Sequence, residues 1–160
     1  MLFKVMNRVT ASDYSKLINI PKTIIISIID IGASENTFQP NTQIIDILHL
    51  QFYDCEFGDI GHITKEDGKK IIEFVNKYVN DIEQIVVHCE SGISRSAGVC
   101  AALMKILNND DYYIFNNPKF CPNMTCYRTV LETYFGSYNE IESNEKIAHN
   151  INIWREFNNF

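Results

Sequence analysis

One stretch of the sequence sets a nucleophile, a guanidinium and a glycine turn side by side: His88-Cys89-Glu90-Ser91-Gly92-Ile93-Ser94-Arg95-Ser96. A cysteine followed six residues later by an arginine is weak evidence alone. With this chain's five cysteines and four arginines, chance gives that spacing in roughly one chain in eight. Adding the preceding histidine, the glycine at the third loop position and the serine after the arginine lowers the chance to about one in 10⁵, taking positions as independent. No other cysteine of the chain has an arginine at this spacing.

The chemistry follows from the residue types. A loop between a strand and a helix N-terminus aims backbone N–H groups at one spot, which suits a phosphate-sized anion. Gly92 permits a sharp turn and a close backbone approach. The same dipoles favour thiolate over thiol at Cys89, and the thiolate is the nucleophilic form. Arg95, in the first helical turn, offers a planar fork for two phosphate oxygens. Ser96 is placed to donate to the Cys89 sulfur and improve it as a leaving group. His88 is read as a residue that holds the Cys89 backbone rather than as a base. A lone cysteine at a strand end is more often a plain core residue. It is the surrounding pattern that turns the balance here.

These residues need a strand before them and a helix behind them, and the patterning supplies both. Gln84 to Val87 reads as a short strand, and Ser96 to Leu107 as an apolar, small-residue helix packed on a sheet. Thr23 to Ile29 is a β-branched run of the kind buried on both faces, and Gln43 to Phe52 is a second buried-strand candidate. Leu2 to Val9 alternates as an edge strand does, and Ala11 to Ile18 suggests a short helix capped by Thr10 or Ser12. Gly32 to Thr42 and Tyr53 to Ile63 read as loops. Thr64-Lys65-Glu66-Asp67 is a helix-start signature, followed by an apolar face from Ile71 to Val79. Asn123 is placed to cap a last core helix through Phe135, and Ile147, Ile151 and Trp154 fall at helical spacing beyond it. The alternation predicts an α/β fold, a central, mostly parallel sheet flanked by helices. Residues 1–137 form the predicted catalytic domain, with 138–160 a C-terminal extension that docks as a helix.

Composition excludes other classes. The chain has 160 residues, one domain's worth, with 46% hydrophobic and 21% charged residues. Its net charge is −6 with only four arginines, Arg8, Arg95, Arg128 and Arg155, a poor match for a nucleic-acid backbone. No apolar run reaches membrane-spanning or signal-peptide length, so the expected location is cytoplasmic, without membrane contact. The five cysteines include no CxxC pair and no zinc spacing. They read as free thiols, with no metal and no cofactor expected.

The loop resembles the signature H-C-x5-R-[ST] of the cysteine-dependent protein tyrosine phosphatase superfamily. The helix sequence Ser96-Ala97-Gly98-Val99-Cys100-Ala101-Ala102-Leu103-Met104 is similar to the small dual-specificity branch, with Ala102 where that branch typically has Tyr. The Pro122-Asn123 and Tyr127-Arg128 region resembles the family's last core helix. Low-molecular-weight phosphatases carry the cysteine loop near the N-terminus, and rhodanese-like cell-cycle phosphatases lack the Gly and Ser placements. The resemblance implies a tyrosine-phosphatase-like fold and a metal-free, two-step hydrolysis. Cys89 attacks phosphorus, Arg95 and the loop amides of Glu90, Ser91, Gly92, Ile93 and Ser94 bind the phosphate, and an upstream Asp protonates the leaving oxygen. Asp54, directly after an apolar strand and 35 residues before Cys89, is the first candidate for that acid. Asp59, 30 residues before it, is the alternative.

The implied substrate is a phosphorylated protein, phosphotyrosine first and phosphoserine or phosphothreonine second. The loop interior carries no lysine or further arginine, and Glu90 opposes extra phosphates, which disfavours inositol lipids. Two other readings stay open at this point. One is a phosphatase of non-protein phosphates such as RNA 5′-triphosphate; the other is a phosphate-binding module without turnover. A low-pKa cysteine is also oxidisable, and the sequence does not say which other cysteine could resolve it.

Overall fold

The computed structural model describes all 160 residues. Its frame is a four-stranded sheet of β1 (Leu2–Asn7), β2 (Thr23–Ile29), β3 (Ile44–Gln51) and β4 (Gln84–Cys89). The strand order is β1-β4-β2-β3 and every pairing is parallel. The two central strands are the two β-branched runs, TIIISII and QIVVHC, and every residue in both is buried. Parallel central strands are covered on both faces, so their sequences show no alternation.

The outer strands differ from their sequence readings in informative ways. β3 lies at the sheet edge and is mostly half-buried, with only Leu50 buried. Asp46 and His49 interrupt its apolar run on opposite faces, Asp46 meeting Tyr78 and His49 meeting Phe38, because neither face of this edge strand is fully covered. β1 stops at Asn7, and helix α1 (Arg8–Tyr14) starts at once. The alternation through Val9 overran the strand because the Asn7 side chain is itself the cap, accepting from the Thr10 amide. The cap is therefore neither Thr10 nor Ser12, and the helix ends four residues earlier than the pattern suggested.

Two helical layers cover the sheet unequally. On one face α2 (Lys65–Tyr78), α3 (Arg95–Asn108) and α5 (Met124–Phe135) enclose the main core, which includes Ile24, Ile26, Val87 and Leu103. A smaller cluster of Tyr14, Ile25 and Val86 sits on the other face under α1 and Phe38. Helix α2 begins with a full capping box between Thr64 and Asp67. A short helix α4 (Tyr112–Phe115) precedes α5, and four residues are too few for the periodicity that would have announced it.

Helix α6 (Glu140–Asn158) closes the chain. Its anchors are polar: Lys146 donates to both carboxylate oxygens of buried Asp111 at 2.9 and 2.8 Å. Arg128 donates to Ser143 at 3.0 Å, and buried Asn150 donates to the Phe115 and Phe120 carbonyls. No helix of the structure is long and apolar enough to cross a membrane.

Because the strands are parallel, their C-terminal ends share one edge of the sheet. Asn7, Ile29, Gln51 and Cys89 end them there. Open parallel sheets bind ligands at that edge, where the strand order reverses.

Candidate active site

Cys89 is the last residue of central strand β4 and is buried. The chain then turns through residues 90–94 into α3. Gly92 makes the turn with φ of +70°. A Cβ there would lie 2.6 Å from the Asn7 nitrogen and from the Met6 carbonyl carbon, so both the backbone conformation and the space require glycine. The loop closes on the sulfur: the Gly92 amide donates to Cys89 Sγ at 3.3 Å, and Ser96 Oγ lies 3.1 Å from it.

Ser94 stands at the N-cap of α3 but gives that helix no side-chain cap. Its hydroxyl donates instead to Asp54 Oδ1 at 2.8 Å. The first-turn amides of α3 thus lack the usual side-chain acceptor, which suits an anion at the helix start.

Arg95 is 4% exposed, and its fork is divided in use. Nη1 donates to Asp30 Oδ1 at 2.7 Å and to the Phe52 carbonyl at 2.6 Å. Nε is buried with no partner. A buried guanidinium N–H without an acceptor is costly, and an anionic oxygen beside it would remove that cost. Asp30 follows β2 directly and Phe52 follows β3, so two strand ends fix the guanidinium.

His88 is fully buried. Its Nδ1 lies 3.4 Å from the Cys89 carbonyl and its Nε2 lies 2.7 Å from Ser27 Oγ. A carbonyl can only accept, so Nδ1 carries the proton and Nε2 accepts from the Ser27 hydroxyl. Burial pushes the imidazole down to about 4, so the ring is neutral near pH 7 and ties Cys89 to the neighbouring strand.

Asp54 lies on the exposed loop after β3, with its Oδ1 held by both Ser94 and Asn123 Nδ2, the latter at 2.9 Å. Asn123 Nδ2 also donates to the Cys55 carbonyl at 3.1 Å, and its Oδ1 caps α5 by accepting from the Cys126 amide. Asp59 sits further along the same loop, where its carboxylate accepts from the Glu56 amide at 3.2 Å. The fold therefore brings Asp54, not Asp59, into contact with the cysteine loop. Glu90 is paired with Arg8 at 2.8 Å, which offsets the negative charge read into the loop from sequence. Burial pushes the thiols of Cys100 and Cys126 up, so both stay protonated at neutral pH. All five cysteines are free, and no cluster of potential metal ligands occurs.

Residues 18–134 match the family model for the dual specificity phosphatase catalytic domain. The chain belongs to that family. Solved structures of this dual specificity phosphatase fold are similar. A mouse protein described as a dual specificity phosphatase, crystallised with zinc tungstate, has a TM-score of 0.59 at 15% identity, covering 88% of this chain and 84% of its own. Human DUSP28 has a TM-score of 0.59 at 14% identity, covering 84% and 92%. A single-substitution variant of that human protein scores 0.51 at 12% identity, covering 92% and 88%. No curated protein matches the chain by sequence.

Three residues of this dual specificity phosphatase site escaped the sequence reading. Asp30 carried a usable signal, since it directly follows a buried strand of a parallel sheet. Arg8 carried none, because its partner Glu90 is 82 residues away. Asn123 was legible as a helix cap, but its bond to Asp54 spans 69 residues.

Proposed function

We propose that the protein hydrolyses phosphotyrosine in protein substrates, and phosphoserine or phosphothreonine as a second class, through a phosphocysteine intermediate. The observation that carries the reading is the shared loop: the strand that ends in Cys89 leads to Ser94, and Ser94 holds the Asp54 carboxylate. A nucleophile and an acid are thus joined to one short segment.

In the first step the Cys89 thiolate attacks phosphorus in line, forming the S–P bond as the ester P–O bond breaks. Asp54 delivers its proton to the departing oxygen. The amides of residues 90–94 and the Nε edge of Arg95 receive the three equatorial oxygens. Nη1 of Arg95 is already committed to Asp30 and Phe52, so the guanidinium needs little reorganisation. In the second step water gives its proton to Asp54 and its oxygen to phosphorus, and the thiolate leaves. Ser96, 3.1 Å from the sulfur, donates to it as charge returns. The neutral His88 takes no part in proton transfer. The free thiols fit a reducing, cytoplasmic setting.

The test is release of phosphate from para-nitrophenyl phosphate and from phosphotyrosine peptides at pH 5.5–7, with Cys89→Ser as control. The reading expects turnover by the natural sequence, none by Cys89→Ser, and inhibition by vanadate. Asp54→Ala should lower kcat by about 10²–10⁴, with Asp59→Ala near the natural rate. Turnover by Cys89→Ser overturns the mechanism. Phosphopeptide binding without turnover leaves a phosphate-binding module.

A further inference from the structure

A groove of about 500 Å³ opens beside the cysteine loop. Asp54, Ser94 and Asn123 line it together with Phe57, and Ile147 and Ile151 of α6 line it too. Helix α6 lies wholly beyond residues 18–134, which match the family model. The groove lining thus joins residues of the family-matched segment to Ile147 and Ile151, which lie outside it.

The construction of α6 explains why these isoleucines are available. The helix docks through Ser143, Lys146 and Asn150, which share one face. Ile147 and Ile151 fall one position further round, an i, i+4 pair on the adjacent face. Both stay half-exposed. Phe57, in the same lining, is 83% exposed. The fold thus leaves three apolar side chains partly or wholly exposed in a cleft that Asp54 also lines.

Charge narrows what the cleft can take. Its carboxylates are Asp54 and Glu56, and its one cation, Arg128, is engaged with Ser143 and Asn144. No free cation is there for a second phosphate, so a polyphosphate chain is a poor fit. Its continuity with Asp54 and Ser94 makes the occupant a part of the same substrate molecule. We propose that the groove is a specificity subsite, walled by Ile147 and Ile151 of α6 and by Phe57, for an apolar side chain flanking the phosphorylated residue of a polypeptide substrate. The inference rests on the phosphatase reading above. Phe57, Ile147 and Ile151 act on selection, and the reacting groups stay those of the cysteine loop.

The test uses the full chain and a phosphotyrosine peptide with serine at every flanking position, with versions carrying one leucine on either side. Hydrophobic pockets discriminate by about 10-fold or more, so kcat/KM should rise about 10-fold for one leucine version. In Phe57→Ala and Ile151→Ser that ratio should fall to within about 2-fold, while para-nitrophenyl phosphate is hydrolysed at the natural rate. Ile151→Ser keeps the helix body, and exposed Phe57→Ala gives an independent reading should α6 loosen. Equal rates for serine and leucine peptides overturn the proposal, as does a preference that survives both variants. An equal loss on para-nitrophenyl phosphate overturns it too, because α6 would then act on the catalytic loop. Faster hydrolysis of an RNA 5′-triphosphate than of any peptide also overturns it. If the natural protein turns over nothing, fluorescence anisotropy with the same peptides separates the two readings. A leucine preference in binding upholds the groove without the enzyme, and its absence ends both.

Discussion

The His88 imidazole sets a measurable pH limit on the fold. It is fully buried in the central strand β4, between Ser27 and the Cys89 carbonyl, with the Phe38 ring packed edge-on at 5.8 Å. Burial pushes its pKa from 6.5 to about 4, although the Cys89 carbonyl and Glu90 pull the other way. Between pH 6.5 and 4 the unfolded chain therefore binds a proton that the folded chain refuses. The neutral ring's stabilisation is fully present above pH 6.5 and is lost as the pH falls, levelling off below 4. At about 1.4 kcal/mol per pH unit, the full loss is roughly 3 kcal/mol, with about 2 kcal/mol gone by pH 5. That is a large part of the 5–15 kcal/mol typical of a domain. Glu142, held low by its hydrogen bond from Lys146, also loses stabilisation as the pH falls, but mainly below the ordinary carboxylate range, so pH 5 keeps most of its effect out of the comparison. His88→Gln removes the titration while keeping a polar group for Ser27. Urea unfolding followed by far-UV circular dichroism at pH 7 and pH 5 makes the comparison. The only tryptophan, Trp154, lies on α6 and stacks on Phe160, so its fluorescence would report that helix instead of the sheet. The natural protein should lose about 2 kcal/mol more than His88→Gln between the two pH values. Equal losses would refute the claim that His88 is held neutral, and with it the exclusion of His88 from proton transfer.

Other expectations follow from the same geometry. Asp30→Asn removes the charge opposite Arg95 while keeping the side-chain shape; since Asp30 is half-exposed, kcat/KM on para-nitrophenyl phosphate should fall about 10-fold. An unchanged kcat/KM would show that the Phe52 carbonyl alone positions the guanidinium. Asn123→Ser retains an α5 cap but is too short to reach Asp54 and Cys55, so kcat should drop several-fold while the thermal midpoint stays within a few degrees. A lower midpoint with full kcat would make Asn123 a cap and nothing more. Gly92→Ala meets both a positive φ and the Asn7 and Met6 backbone; it should cost on the order of 1–3 kcal/mol in urea unfolding and abolish turnover, and normal stability with normal turnover would contradict the loop geometry.

The sequence and the structure agree where the physics is local. Strands β2 and β4 were legible because burial on both faces forces an unbroken β-branched run. The cysteine loop was legible because its cysteine, turn and guanidinium lie within one contiguous segment. Agreement fails where a residue's meaning is set by strand order. Arg95 meets Asp30 across 65 residues and the Phe52 carbonyl across 43, and neither pairing exists until β4 has inserted between β1 and β2. The half-exposed state of β3 has the same origin: Gln43 to Phe52 reads as a buried strand until the strand order puts it at the edge.

One positional rule would have recovered part of what was missed. In an all-parallel sheet the residues just after each strand gather at a single edge whatever the strand order. Here those positions hold Arg8, Asp30, Phe52 and Glu90. Two of them fix Arg95, and the other two pair with each other as Arg8 and Glu90. Applied to the expected parallel sheet, that rule would have pointed to Asp30, an acid at a strand exit. The same rule finds nothing of Ile147 or Ile151, because α6 reaches the site from outside the sheet. Its placement depends on Lys146 meeting Asp111, a contact no strand register implies.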